Sequence, residues 1–69
     1  MKKIIRIEGM TCHHCEMRVE KALKAVRGVK NAKASFIEKT CIIDVKFDIA
    51  EDIIREVVMQ AGYHVVTVE

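Results

Sequence analysis

The sequence predicts an α+β sandwich in which two helices pack on one face of a four-stranded antiparallel sheet. Three observations lead there. Two stretches carry apolar side chains at helical spacing, and four others alternate or are rich in β-branched residues. Their order along the chain is strand, helix, strand, strand, helix, strand. Each helical stripe needs a surface to cover, and one sheet face serves both. With 69 residues, the chain is expected to form a single domain spanning 1–69.

Lys3, Ile5 and Ile7 alternate with Ile4, Arg6 and Glu8, a strand at about 2–8 that Gly9 breaks. From Cys15, the residues Val19, Ala22, Leu23 and Val26 form one buried helix face over about 14–27, and Gly28 is a suitable C-cap. Ala32, Ala34 and Phe36 then alternate with Asn31, Lys33 and Ser35. A polar turn, Glu38-Lys39-Thr40, leads into Cys41, Ile43, Val45 and Phe47, so the two runs read as a β-hairpin. Asp48, followed three residues later by Glu51, resembles an acidic capping box for the second helix. Ile53, Ile54, Val57, Val58 and Ala61 mark that helix's inner face, and Gly62 stops it. His64 to Val68 form the last strand. This order describes the ferredoxin-like βαββαβ sandwich.

Composition narrows the function. The chain is 51% hydrophobic and 32% charged, the mix of a folded soluble domain rather than a disordered one. So small a core leaves little room for a loop-walled substrate cleft, and no enzymatic activity is expected. A net charge of +2 is too balanced for a dedicated nucleic-acid binder, and one Tyr, two Phe and no Trp give few stacking platforms. No apolar run reaches the roughly 18–20 residues of a membrane span. Charges at Arg6 and Glu8 interrupt any secretory h-region. Three cysteines, an odd count with one close pair, do not suit a secreted disulfide framework. A reducing, cytoplasmic setting is expected.

The chemistry lies in Gly9-Met10-Thr11-Cys12-His13-His14-Cys15, between the first strand and the first helix. Cysteines at this spacing turn both sulfurs toward one point, Cys12 from the loop and Cys15 from the first turn. Backbone N–H groups at a helix start stabilise thiolate. Thiolates are soft ligands, so Cu(I), Zn(II) and Hg(II) are all candidates. A closed structural zinc site would need two further ligands, and only His13 and His14 are near in sequence. Cu(I) is satisfied by two thiolates, and such low coordination suits a site that gives its ion away. Cys41 falls on the inner face of its strand and is expected to be a buried, inert thiol. A small thiol–disulfide redox protein is the reading from a different class.

The Gly-Met-Thr-Cys-His-His-Cys stretch, within this length and element order, resembles the heavy-metal-associated domain. That family includes copper chaperones and the metal-binding domains of soft-metal-transporting P-type ATPases. The resemblance covers essentially the whole chain, including Gly62-Tyr63 after the second helix. It implies that Cys12 and Cys15 are the metal ligands and that Met10 supports the loop from the core. Tyr63 falls where bacterial copper chaperones of this type carry tyrosine near the loop. His14 precedes the second cysteine as in such chaperones; His13 is less usual, and both are accessory ligand candidates. The implied function is a metallochaperone that passes Cu(I) to the metal-binding domain of a copper-transporting P-type ATPase, without nucleic acid or membrane insertion. The proportions are expected to be those of a free-standing protein, the alternative being an excised ATPase domain. A monomer is expected without metal, and a copper-bridged dimer at high loading.

Charge is unevenly distributed. Residues 1–39 carry ten Lys and Arg against four Glu, a net of +6, and residues 40–69 carry two basic against six acidic side chains, a net of −4. Arg18, Lys21 and Lys24 lie outside the inner helical stripe, with Glu16 and Glu20 among them. These cations are expected to steer the loop toward an acidic partner domain.

Overall fold

In a computed structural model describing residues 1–69, the six elements are β1 (Lys2–Glu8), α1 (His13–Lys24), β2 (Val29–Ser35), β3 (Thr40–Val45), α2 (Glu51–Gln60) and β4 (His64–Val68). The strands form one antiparallel sheet in the order β2-β3-β1-β4. Both helices follow the expected order, and the architecture is the ferredoxin-like sandwich.

Register sets which side chains meet the helices. Ile5 lies opposite Cys41 and Lys3 opposite Ile43 across the β1–β3 ladder, and Ala34 pairs with Cys41 across β2–β3. Period two then places Ile5, Ile7, Ala32, Ala34, Cys41, Ile43 and Val45 in the core. The helices contribute Val19 and Leu23 from α1, and Ile54 and Val58 from α2. Each fully buried aliphatic side chain contributes roughly 1.5–3 kcal/mol relative to exposure. The stability of the domain therefore resides between the layers, away from the loop that precedes α1.

Local details depart from expectation in four places. Helix α1 ends at Lys24 with Ala25 as its C-cap, not at Arg27. The chain tightens through i to i+3 bonds, Val26 N–H to Leu23 C=O at 3.0 Å and Val29 N–H to Val26 C=O at 3.1 Å. Gly28 is the φ +98° residue of this turn, and a Cβ there would lie 2.5 Å from the Phe47 ring. That packing explains the second difference. Strand β3 stops at Val45, and Phe47 leaves the inner face to cover Gly28, remaining 50% exposed. Third, Asp48 caps no helix: its carboxylate meets Lys3 Nζ at 2.8 Å, while Ala50 occupies the N-cap without a side-chain bond. Glu51 instead pairs with Arg55, which also donates to the Val65 carbonyl and ties α2 to β4. Fourth, Ile53 is exposed, on the outer seam between the helices, whereas Ile54 and Val58 enter the core.

Strand β2 is an edge. Two N–H groups at its C-terminal end are taken by α1: Ala34 donates to Glu20 Oε2 and Phe36, just past the strand, to Glu16 Oε2, each at 2.8 Å. Both carboxylates are thus turned toward the sheet rather than toward the basic face of the helix.

Candidate metal site

The loop from β1 to α1 begins at Gly9, whose φ of +102° favours glycine. A Cβ here would also stand 3.2 Å from the Tyr63 ring, so glycine lets the aromatic ring pack against the loop. Met10 follows and is buried in the core cluster. Cys12 is the extended N-cap residue of α1, and its carbonyl accepts the N–H groups of Cys15 at 3.0 Å and Glu16 at 3.3 Å. Cys12 is exposed and Cys15 half-buried, and their sulfurs lie 3.7 Å apart without a disulfide.

This environment favours the Cys15 thiolate. A hydrogen bond from the Thr11 backbone and one from the Tyr63 hydroxyl bring the Cys15 pKa from 9.0 down to about 6, with bonds from Cys12 assisting and desolvation opposing. The Thr11 hydroxyl lies 3.9 Å from the same sulfur. Reciprocally, the bond to Cys15 and burial push the Tyr63 phenol up, against a lowering effect from Arg18. The proton therefore stays on Tyr63 while Cys15 carries the charge. Tyr63, buried in the turn after α2, packs its ring against Gly9 of the loop.

The two histidines lie apart from this pair. His13 is exposed, its Nδ1 2.8 Å from Glu16 Oε1. His14 lines a shallow surface groove with Met17, Arg18 and Lys21. No three His, Cys, Asp or Glu side chains converge anywhere on a common point. Cys41 lies fully buried in β3, with its pKa raised to about 12 by desolvation first and the nearby Glu20 charge second. Arg18, Lys21 and Lys24 are exposed and make no ion pair, and Glu16 and Glu20 do not offset them on that face. The roles of Thr11 and Glu16 were not evident from the motif. The His13–Glu16 spacing of three was the available signal for the second.

The fold and the paired thiols together define a small ferredoxin-like module that presents two cysteine sulfurs at the mouth of its first strand–helix loop. Comparison with known proteins gives the family. Residues 4–64 match the heavy-metal-associated domain, and the chain belongs to that family. It is 30% identical over 66 residues to a COP-associated protein of Helicobacter pylori, covering 96% of this chain and all of that one. Copper chaperone CopZ of Staphylococcus epidermidis is 32% identical, with 93% and 96% of the two chains covered. A copper-exporting P-type ATPase of Bacillus subtilis is 39% identical over 91% of this chain, which spans 8% of that larger protein. The solved structure of a CopZ metallochaperone matches with a TM-score of 0.86 at 29% identity, covering 96% of this chain and 100% of that one. No helix is long and apolar enough to cross a membrane.

Proposed function

We propose that the protein is a cytoplasmic metallochaperone that holds Cu(I) between Cys12 and Cys15 and passes it to the metal-binding domain of a copper-transporting P-type ATPase. The observation that carries this reading is the pair of sulfurs 3.7 Å apart, one of them with its pKa lowered to about 6. Soft thiolates favour Cu(I), and the likeness to copper chaperones and to a copper-exporting ATPase supports both the cargo and the recipient. Cu(I) is cargo here, and its oxidation state does not change. An incoming partner thiolate bonds to the ion as one cysteine sulfur leaves, and a second partner thiolate then displaces the other. Cys15 stays largely thiolate on release near neutral pH, and any proton the freed sulfurs do take up is matched by one lost as a partner thiol binds. No catalytic base is required, and the reading assigns no enzymatic step.

The exposed Arg18, Lys21 and Lys24 would steer the loop to an acidic partner surface, raising the association rate more than the final affinity. Two loops face to face would share thiolates in a copper-bridged dimer at high loading, which sedimentation at rising copper ratios would register. Anaerobic titration tests the cargo: one Cu(I) per chain should bind tightly, with negligible catalysis of insulin reduction. Transfer to an ATPase metal-binding domain should slow with added salt, as the Debye length falls to ~10 Å at 0.1 M. Reversing Arg18, Lys21 and Lys24 to Glu should slow transfer while Cu(I) affinity stays near wild type. Stoichiometric Zn(II) binding with weak Cu(I) binding would instead make this a carrier for another metal.

A further inference from the structure

His13 stands next to Cys12 in the chain and is a candidate third ligand for a metal on the two sulfurs. It is engaged elsewhere. Its Nδ1 lies 2.8 Å from Glu16 Oε1, and Glu16 Oε2 in turn accepts the Phe36 amide N–H at 2.8 Å. The Glu16 side chain is only 15% exposed, whereas that of His13 is 77% exposed. An ordinary i, i+3 pair on a helix surface is weak because both side chains are free to wander. This carboxylate is different: the backbone just past β2 holds it in place before the histidine arrives. With Nδ1 bound to Glu16, His13 does not join the cysteines as a third donor.

The choice of ligands matters for metal selection. Zn(II) seeks four ligands, nitrogen and sulfur among them, so a third protein donor strengthens a two-thiolate site for zinc. Cu(I) gains less, because two thiolates already satisfy it. A residue that orients a histidine therefore acts on the ratio of the two affinities. We propose that Glu16 is a positioning residue that holds the His13 imidazole out of the Cys12–Cys15 site and thereby disfavours Zn(II) relative to Cu(I). The proposal rests on the reading that Cys12 and Cys15 carry the metal.

A double-mutant cycle tests it, using the full chain, Zn(II) and Cu(I) competition titrations, and Co(II) absorption as a reporter of coordination number. Glu16→Ala should tighten Zn(II) binding by about tenfold, a typical size for changes around a metal ligand. Cu(I) affinity should change far less, and the Co(II) bands should intensify as a further ligand joins. His13→Ala alone should leave Zn(II) affinity unchanged, because His13 is outside the site in the parent protein. In the Glu16→Ala background, the same His13→Ala change should remove the gain. Glu16→Gln retains an acceptor for the Phe36 N–H, and should show the effect in smaller measure if the alanine variant folds poorly. Zn(II) affinity unchanged in both Glu16 variants, or a gain that survives loss of His13, would overturn the proposal. Failure of the parent protein to bind Cu(I) would instead overturn the underlying site reading, and the first titration separates the two.

Discussion

The loop sulfurs and the sulfur of Cys41 are the same chemical group in opposite surroundings. Cys15 sits at a helix start with a backbone donor and a tyrosine hydroxyl aimed at it, and its pKa falls to about 6. Cys41 sits between sheet and helices, fully buried, and its pKa rises to about 12. Near neutral pH the first is largely thiolate and the second is a neutral thiol that packs like an aliphatic side chain. Cysteine is thus made an exposed thiolate or a core residue by the donors and solvent around it.

The largest test of this contrast is metal binding. Cys12→Ser or Cys15→Ser should abolish tight Cu(I) binding while circular dichroism stays native, whereas Cys41→Ser should leave Cu(I) affinity near wild type. Loss of copper on changing Cys41 would erase the distinction. Alkylation comes next. At neutral pH, a small electrophile should modify Cys15 roughly a hundredfold or more faster than Cys41, because only thiolate reacts and Cys41 is shielded. Mass mapping of the folded, reduced protein would read the ratio, and equal rates would contradict the burial of Cys41.

Stability should reverse the ranking. Cys41→Ser should cost about 1–3 kcal/mol in urea unfolding if the introduced hydroxyl finds no partner, while Cys12→Ser should stay within about 0.5 kcal/mol, as surface changes usually do. A costlier Cys12 change would place the loop in the folding core. The smallest effect belongs to Tyr63→Phe, which removes the hydroxyl bond to Cys15. The pH midpoint of Cys15 alkylation should move upward from about 6, and copper binding at mildly acidic pH should weaken, since the metal displaces protons.

The same two shifts act on metal-free stability with opposite sign. Between about pH 6 and 9 the unfolded chain holds the Cys15 proton that the folded chain has lost. Stability from Cys15 is therefore present above 9 and is lost as pH falls through 6. For Cys41 the folded chain keeps its proton from 9 to about 12, so its contribution is full below 9 and is lost as pH rises through 12. Comparing unfolding curves of the parent and the two serine variants across pH would resolve the signs.

Much of this was legible in the chain. The alternation of Ile5 and Ile7, of Ala32 and Ala34, and of Cys41, Ile43 and Val45 reports one buried sheet face directly, because strand period and burial are coupled. The helical stripes were equally clear in Val19, Leu23, Ile54 and Val58. The Cys-x-x-Cys spacing located the paired sulfurs. What pattern could not reveal were choices settled between distant segments. Asp48 satisfied a local capping rule, yet Lys3 offered it a charged partner at 2.8 Å. Phe47 continued the strand alternation, but Gly28 left a surface for its ring. Glu16 and Glu20 looked like solvent-facing charges on a basic helix, and only the position of β2 shows where they turn.

That last arrangement has a colloidal consequence. The bare margin of a sheet is a template on which another chain can add a strand, and proteins blunt it with charge or cover. Here the Ala34 and Phe36 N–H groups are already occupied by carboxylates of α1, so an incoming strand would meet two negative oxygens where it needs free donors. Such cover lets a small domain collide with other proteins without sticking to itself. Anchoring these acids along that margin guards against runaway fibre growth while leaving the opposite, cationic side of the helix free for encounter.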